Sequence, residues 1–210
     1  MCGRYQAKGD GDAIAAMWRA PRNEVAEEAL GRTEVKPTTT VAVLAAAPEA
    51  DGGVALEAVR WGIQPAWSKR PLLNARSDKL AESKLWKRLA GDHSHRVLLI
   101  ADGWYEWLRP EVKSADARPQ PFLHTVDGGA LFGMAGVLDV AVVKGEVVPA
   151  VTVITTDAVG ESARLHHRMP VVLADEERQR AWLSPGLATE DAVELCRPLA
   201  AGVAIEPAVL

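Results

Sequence analysis

The sequence predicts an α+β fold with a mainly antiparallel sheet and three or four flanking helices. Short apolar runs typical of strands outnumber the helical segments along the chain. Two turns, Asp127-Gly128-Gly129 and Lys144-Gly145-Glu146, each separate two such runs in the manner of a β-hairpin. Strands and helices do not alternate regularly, which argues against a parallel βαβ series.

The predicted strands are apolar runs bounded by turn residues. A turn cluster at 48–53 separates the first two runs, and the stretch 108–120, rich in charge and proline, is expected to be flexible. In chain order the predicted strands span residues 40–46, 54–63, 96–101, 121–126, 131–138, 140–143, 147–155 and 203–205.

The predicted helices are positioned by capping residues and by apolar spacing. Residues 12–19 form a short helix with an acidic start. Ser77 is the expected N-cap of a longer helix, because apolar residues recur every four positions from 81 to 89. Asp175 and Thr189 are the expected caps of two late helices.

The composition is that of a globular protein with a sizeable core. The chain has 210 residues, of which 48% are hydrophobic, so a core without metals or disulfides is feasible. The net charge of -4 argues against a broadly basic surface that coats nucleic acid. A local basic groove is still compatible with it, because a nucleic acid responds to the charge of the surface that it touches. We expect one domain over residues 1–210.

The cysteines and the N-terminus indicate a reducing compartment. Cys2 and Cys196 do not make a disulfide framework. No apolar stretch follows Met1, so a signal peptide is not predicted. No apolar run approaches the ~20 residues of a membrane helix. We therefore expect a cytoplasmic monomer that does not bind membranes and that associates with the nucleoid when bound to DNA.

Cys2 offers the most specific chemistry in the chain. Removal of the initiator methionine, expected before such a small residue, leaves Cys2 with a free amine. An α-amine has a pKa of about 7.7–8.0, against about 10.4 for lysine, so much more of it is neutral at pH 7. The amine can form a Schiff base with an aldehyde, and the thiol can then close a thiazolidine ring. The ring-opened sugar of an abasic site in DNA is such an aldehyde. Taken alone, an N-terminal cysteine is more often an incidental small residue.

Two further segments carry candidate site residues in the middle of the chain. Arg76, near a predicted helix start, can bind a phosphate, and Asn74 can hold a terminal amine or a phosphate oxygen. Glu106 lies between Trp104 and Trp107, where partial desolvation would raise its pKa and suit it to proton transfer. The alternatives are a solvated loop for Asn74 and Arg76, and a surface position on an edge strand for Glu106.

A third segment combines histidine with arginine near the end of the chain. His166 can exchange protons near neutral pH, and Arg168 can bind a phosphate or orient Glu106. The alternative is a hydrogen-bonded loop without a functional role. Metal binding is less well supported, because no Cys-x-x-Cys or His-Glu-x-x-His spacing occurs. The glycine-rich motifs of nucleotide-binding enzymes are also missing from the sequence, so we expect no metal and no cofactor.

These segments together resemble the SRAP family, the SOS response-associated peptidase-like proteins. Each segment alone is a weak signal, whereas six of them in order over nearly the whole chain are very specific. They are Met1-Cys2-Gly3-Arg4-Tyr5, Trp61-Gly62-Ile63-Gln64-Pro65-Ala66-Trp67, Asn74-Ala75-Arg76-Ser77, Ala101-Asp102-Gly103-Trp104-Tyr105-Glu106-Trp107, Leu131-Phe132-Gly133-Met134-Ala135-Gly136 and His166-His167-Arg168-Met169-Pro170.

The resemblance implies a fold, an activity and a set of site residues. The fold is one α+β domain whose strands curl into a barrel-like core. The activity is covalent capture of abasic sites in single-stranded DNA, which shields the lesion from strand cleavage. The implied catalytic residues are Cys2, Asn74, Glu106 and His166. The implied DNA-binding residues are Arg4, Trp67, Arg76 and Arg168.

The chain departs from the family pattern at three positions. Glu34 in Glu34-Val35-Lys36-Pro37 stands where the family usually has asparagine, which puts an acid near the expected cleft. Trp104 stands where phenylalanine is usual, and His167 stands where an acidic residue is common.

Two other functions remain open from the residues alone. A thiol peptidase would use Cys2, His166 and Glu106, and would need the thiolate but not the amine. A non-catalytic module that binds single-stranded DNA would rely on the seven tryptophans and the arginines, and would be indifferent to replacement of Cys2 by alanine. Capture is the leading hypothesis, because it alone uses both the amine and the thiol.

Overall fold

The computed structural model describes residues 2–21, 23–108 and 119–210, which form thirteen strands and six α-helices. The strands are β1 (Tyr5–Ala7), β2 (Arg32–Val35), β3 (Thr40–Ala46), β4 (Val54–Trp61), β5 (Asn74–Arg76), β6 (Arg96–Ala101), β7 (Gly103–Leu108), β8 (Gln120–Val126), β9 (Phe132–Val143), β10 (Glu146–Asp157), β11 (Arg168–Pro170), β12 (Val172–Leu173) and β13 (Val203–Pro207). The helices are α1 (Gly11–Trp18), α2 (Glu24–Glu27), α3 (Lys84–Gly91), α4 (Ser162–Leu165), α5 (Glu176–Leu183) and α6 (Thr189–Leu195).

A closed ring of five strands lies at the centre of the structure. The ring runs β4-β3-β6-β9-β10, and β10 returns to pair with β4. Only this closing pair is parallel, while the other four pairs of the ring are antiparallel. The predicted α+β class with a barrel-like, mainly antiparallel core is therefore confirmed. All six residues of β6 are buried, as expected for a strand that faces the core on one side and packed helices on the other.

In a second sheet of five strands, the N-terminal strand pairs with a strand from the middle of the sequence. Its order is β13-β8-β7-β1-β2, and every pair in it is antiparallel. Tyr5 in β1 lies opposite Trp104 in β7. Tyr5 also packs edge-on against Trp61 of the barrel, with the ring centroids 5.4 Å apart. The two sheets thus share one apolar core.

One of the two predicted hairpins is wrong. Asp127-Gly128-Gly129 joins β8 to β9, but these strands lie in different sheets and do not pair. The glycines are still required, since both have positive φ angles, of 74° and 91°. Lys144-Gly145 does form the predicted hairpin, with Glu146 opposite Val143. The predicted strands 131–138 and 140–143 form one continuous strand, β9.

The helix boundaries required two corrections. The helix expected from Ser77 begins only at Lys84, after a 3-10 turn over Ser77–Lys79. The apolar spacing that starts at Ala81 does not mark the start of the helix, because Ala81 is exposed and precedes it. Thr189 is the first residue of α6 and makes no side-chain cap.

Other helix predictions are confirmed. Asp175 caps α5 by accepting a hydrogen bond from the Arg178 N–H at 2.8 Å. The four longer helices match the predicted number, and the single-turn helices α2 and α4 were not predicted. Most of the stretch 108–120, predicted to be flexible, lies outside the described residues. Within the described ranges, no helix has the length and apolar character to cross a membrane.

A fully buried arginine joins the barrel to two helices. Arg96 at the start of β6 donates to the carbonyls of Ala90 at 2.9 Å, Trp182 at 2.7 Å and Ser184 at 2.5 Å. These carbonyls lie at the C-terminal ends of α3 and α5, where helix carbonyls lack partners within the helix.

Replacing Arg96 by methionine is expected to lower the free energy of unfolding by about 3 kcal/mol, because several buried carbonyls lose their donor. Denaturant unfolding measures this loss. Arg88→Met is the matched control: Arg88 is exposed and pairs with Asp139 at 2.6 Å, so we expect a change below about 1 kcal/mol. Equal losses in the two variants would contradict this role for Arg96.

Candidate active site

The N-terminal segment is held between the two sheets. Cys2 is fully buried just before β1. Its carbonyl accepts a hydrogen bond from Asn74 Nδ2 at 3.0 Å. Asn74 is itself fixed at the start of β5, where it lies opposite Val153 of β10. Asn74 Oδ1 is buried and has no hydrogen-bond partner among the described residues. The structure therefore places Asn74 beside the backbone of Cys2, with an unused acceptor.

Glu106 lies on the strand next to the N-terminal segment. It belongs to β7, and the neighbouring Tyr105 N–H donates to the Arg4 carbonyl at 2.9 Å. The side chain of Glu106 is buried, and this burial raises its pKa to about 7. At neutral pH both protonation states of Glu106 are populated, as a general acid and base requires. The partial desolvation predicted from the flanking tryptophans is therefore seen in the structure.

The Cys2 thiol is neutral in this environment. Burial raises its pKa to about 12, and the nearby Glu106 carboxylate contributes in the same direction. The Glu106 carboxylate is therefore close enough to Cys2 to disfavour the thiolate. A thiol of this kind is a poor spontaneous nucleophile, and it needs a base to take its proton during reaction.

His166 lies between α4 and β11. Its Nδ1 lies 2.9 Å from the Arg168 backbone nitrogen and 3.2 Å from the Arg168 carbonyl oxygen, so it accepts from the N–H in one tautomer and donates to the carbonyl in the other. The ring stacks on that of His167, with centroids 4.3 Å apart. Because α4 packs against β7, His166 follows a helix that contacts the strand of Glu106. Three catalytic candidates are thus carried by elements that meet around β7, and Asn74 on β5 is joined to them by its hydrogen bond to the Cys2 carbonyl.

Arg4 is held on both sides. Its Nη1 pairs with Glu34 Oε1 at 2.6 Å, and its guanidinium lies 5.1 Å from the centroid of the Trp107 ring. Glu34 also pairs with Lys36 at 3.0 Å. The acid at the family's usual asparagine position is therefore a direct partner of a candidate DNA-binding arginine.

The other two candidate arginines share an acidic partner. Arg76 is exposed and donates twice to Asp78, at 3.0 and 2.7 Å. Arg168 is buried, donates to the Thr155 carbonyl, and pairs with Asp157 at 2.5 Å and with Asp78 at 3.7 Å. Arg76 is thus placed to reach a ligand, whereas Arg168 holds the backbone of β10 beside β11.

Trp67 is accessible for stacking. It lies between β4 and β5 and is 70% exposed, which is unusual for a tryptophan. The loop that carries it is tied to β9 through the Gln64 N–H, which donates to the Val140 carbonyl at 3.0 Å.

An open groove of about 510 Å³ adjoins the elements that carry Glu106 and His166. Leu108 of β7 and Leu165 of α4 contribute to its walls, together with Phe122, Glu161, Arg164, Val203 and Ile205. Its volume is large enough to hold part of a nucleotide.

Sequence reasoning did not assign three residues that the structure brings to the site. Trp107 stacks on Arg4, Asp78 bridges Arg76 and Arg168, and Thr155 accepts from Arg168. For Trp107 the sequence does contain an indication of a place at the site, since this residue directly follows Glu106. Asp78 and Thr155 had none, because their partners are defined by the pairing of β10 with β5 and β11.

Comparison with known proteins identifies a family. A family model described as SOS response associated peptidase (SRAP) matches residues 1–208. The chain is 31% identical over 199 residues to the abasic site processing protein YedK of Escherichia coli (strain K12), covering 93% of this chain and 85% of that protein. It is 32% identical over 167 residues to the abasic site processing protein HMCES of Xenopus tropicalis, covering 69% of this chain and 50% of that longer protein.

Solved structures share the fold. A phage-related protein from Bordetella bronchiseptica superposes with a TM-score of 0.78 at 27% identity, covering 99% of this chain and 94% of that one. A protein from Bacteroides thetaiotaomicron superposes with a TM-score of 0.79 at 21% identity, covering 98% and 91%. The second likeness is evidence for the fold alone.

Proposed function

This chain belongs to the SRAP family, and we propose that it processes abasic sites by capturing them in single-stranded DNA as a covalent thiazolidine at Cys2. The observation that carries the proposal is the pair formed by the buried, neutral Cys2 thiol and a Glu106 whose pKa is about 7. Thiazolidine closure needs a thiol that keeps its proton until an imine is present, and a base that then accepts this proton.

The reaction begins at the amine of Cys2, which is free once Met1 has been removed. The amine attacks the aldehyde carbon of the ring-opened sugar and forms a carbinolamine. Protonated Glu106 gives its proton to the hydroxyl group, which leaves as water, and an iminium ion remains. The thiol sulfur then adds to the iminium carbon, while the Glu106 carboxylate takes the thiol proton. Glu106 is thus protonated again at the end of the reaction, and one molecule of water is released overall.

Asn74 and His166 support these steps. Asn74 holds the Cys2 carbonyl through Nδ2, and its unpartnered Oδ1 is suited to accept an N–H from the amine. The His166 ring, held at Nδ1 by the backbone of Arg168, is suited to exchange a proton with the sugar oxygen as the ring opens. An imine at this carbon also permits strand scission, so closure of the thiazolidine is expected to suppress a lyase side reaction.

DNA is bound through phosphates and bases around this centre. Arg4 and Arg76 contact phosphates, and Arg168 supports the strand beside them. The exposed Trp67 offers a stacking surface for a base, a contact that tolerates any sequence.

The ionisation of Cys2 favours capture over peptidase chemistry. A cysteine peptidase depends on a thiolate, which is promoted by a lowered pKa. In this protein the pKa of the Cys2 thiol is raised to about 12 by burial. Addition to an iminium ion does not require a preformed thiolate, because the iminium carbon is already strongly electrophilic.

The proposal is tested with an oligonucleotide that carries one abasic site. We expect a protein–DNA band that survives boiling in detergent, with the mass of the Met1-free chain plus DNA minus one water. The undamaged oligonucleotide and the same lesion reduced to an alcohol serve as controls, because neither offers an aldehyde. Absence of the band, when mass spectrometry shows that Met1 is gone, would refute the capture mechanism.

A further inference from the structure

Every arginine assigned to the DNA surface is paired with a carboxylate of the same chain. Arg4 pairs with Glu34, Arg76 pairs with Asp78, and Arg168 pairs with both Asp78 and Asp157. A phosphate that approaches Arg4 or Arg76 therefore competes with an acid that already pairs with the guanidinium.

We propose that the carboxylates of Glu34 and Asp78 compete with DNA phosphates for Arg4 and Arg76, and so lower the affinity for intact single-stranded DNA. With these two residues as guards of the arginines, selectivity for damage comes from the covalent step. This inference rests on the proposed function, in that single-stranded DNA is the ligand. It adds two residues that set specificity without taking part in the chemistry.

The fold holds the first guard in place. Glu34 lies on β2, whose neighbouring residue Val35 is opposite Tyr5 of β1. This pairing brings the Glu34 carboxylate to Arg4, while Trp107 covers the guanidinium from another side. The pair is about three-quarters shielded from solvent, with side-chain exposures of 29% and 26%. Glu34 is thus a built-in partner of Arg4.

The second guard uses the geometry by which arginine binds phosphate. Arg76 Nε and Nη2 donate to the two oxygens of Asp78, which is the two-point contact that a phosphate would otherwise receive. The Arg76 hydrogen bond also holds the pKa of Asp78 below its ordinary value, so this acid stays ionised. Both side chains are largely exposed, so the pair can open when DNA arrives.

Weak binding to intact DNA is useful to a protein that reacts irreversibly. A chain with net charge -4 and guarded arginines spends little time on the undamaged strand, which is in large excess. At an abasic site the covalent bond retains the protein, so high phosphate affinity is unnecessary.

Exchange of a carboxylate for a phosphate at an arginine predicts a particular salt dependence of DNA binding. When an arginine moves from carboxylate to phosphate, the phosphate releases its counterion, but the freed carboxylate recruits one. The salt dependence of binding is then shallower than the number of contacts implies. Removing a guard should steepen the plot of log Kd against log salt by up to about 0.7 per contact, the slope of a single-strand phosphate.

The test compares Glu34→Gln and Asp78→Asn with the wild type. Fluorescence anisotropy with an undamaged single-stranded oligothymidylate gives Kd at several salt concentrations. We expect each variant to bind about three- to tenfold more tightly at low salt, with the steeper slope described above. Affinity should rise by a larger factor than the rate of adduct formation at saturating abasic DNA.

Glu176→Gln is the matched control, because it removes the same charge from an arginine pair on α5, a helix that carries none of the candidate site residues. Combining Glu34→Gln with Arg4→Gln should erase the gain in affinity, since Glu34 acts through that arginine.

Unchanged affinity in both guard variants, or an equal gain in the control, overturns the inference. If the wild type forms no adduct with abasic DNA but the Glu34 and Asp78 variants still bind the undamaged strand more tightly, the proposed capture is contradicted and the guards are not. If neither the wild type nor any variant binds the undamaged strand, the inference about Glu34 and Asp78 is wrong, whereas adduct formation with abasic DNA still decides the capture mechanism. Thermal unfolding of each variant checks that the fold is kept.

Discussion

Replacement of Cys2 by serine is expected to abolish the heat-stable adduct with abasic DNA, a loss of more than about 100-fold. Serine keeps the amine and forms the imine, but its hydroxyl is a much weaker nucleophile than the thiol, so water reverses the reaction. The denaturing gel used for the wild type measures the loss directly.

Chemical reduction of the imine distinguishes the role of the Cys2 amine from the role of its thiol. Borohydride reduces an imine to a stable amine, so the serine variant should give a band when borohydride is present. A chain that retains Met1 should give no heat-stable band without borohydride, because its α-amine lies on a residue that has no thiol to close the ring.

Cys196→Ser provides the matched control for thiol chemistry. Cys196 is also buried, but it lies at the end of α6 and is not among the residues gathered around β7. We expect this variant to form the adduct at the wild-type rate. An equally stable band from the Cys2→Ser protein without borohydride would rule out thiazolidine closure.

Replacement of Glu106 by glutamine is expected to slow adduct formation by about 100-fold or more, the usual contribution of a general acid or base. Glutamine keeps the size of the side chain but can neither give nor take a proton. Single-turnover kinetics on the abasic oligonucleotide measures the effect, and Glu57→Gln, at an exposed position of β4, should leave the rate unchanged.

The pH profile distinguishes proton transfer from a purely structural role of Glu106. The rate should rise with pH as the amine loses its proton, and fall again as Glu106 ionises near its pKa of about 7. The falling limb should disappear in the Glu106→Gln protein. A falling limb that persists in the variant would assign the acid to another group.

The raised pKa of Glu106 also has a consequence for stability. The folded protein binds the proton more tightly than the unfolded chain, so stability falls as pH rises from about 4.5 to about 7. The glutamine variant lacks this dependence. Its stability relative to the wild type should therefore increase over that pH range, which denaturant unfolding at several pH values can measure.

Much of the local structure could be predicted because it depends on neighbours in sequence. Apolar runs such as β6, the Lys144-Gly145 turn and the Asp175 cap are specified by periodicity and by the conformations that a few residues allow. The candidate site residues were also accessible from sequence. Cys2 was found through its chemistry, and Asn74, Glu106 and His166 through motifs that resemble one family.

The pairing of distant segments was decided only by the tertiary structure. Asp127-Gly128-Gly129 has the composition of a hairpin turn, yet it connects two sheets, because turn chemistry reverses the chain without choosing its partner. The closure of the barrel by the parallel pair of β10 and β4 joins segments about ninety residues apart, and no local pattern encodes it.

The sequence by itself determined which groups are candidates for the site, and the tertiary structure decided their ionisation and their partners. Glu106 has a raised pKa because packing removes water from its carboxylate. Arg4 is paired because β1 and β2 are adjacent strands, which brings Glu34 to it. Burial and pairing depend on segments that are remote in the chain, so the chemical identity of a residue is visible in the sequence and its electrostatic environment is not.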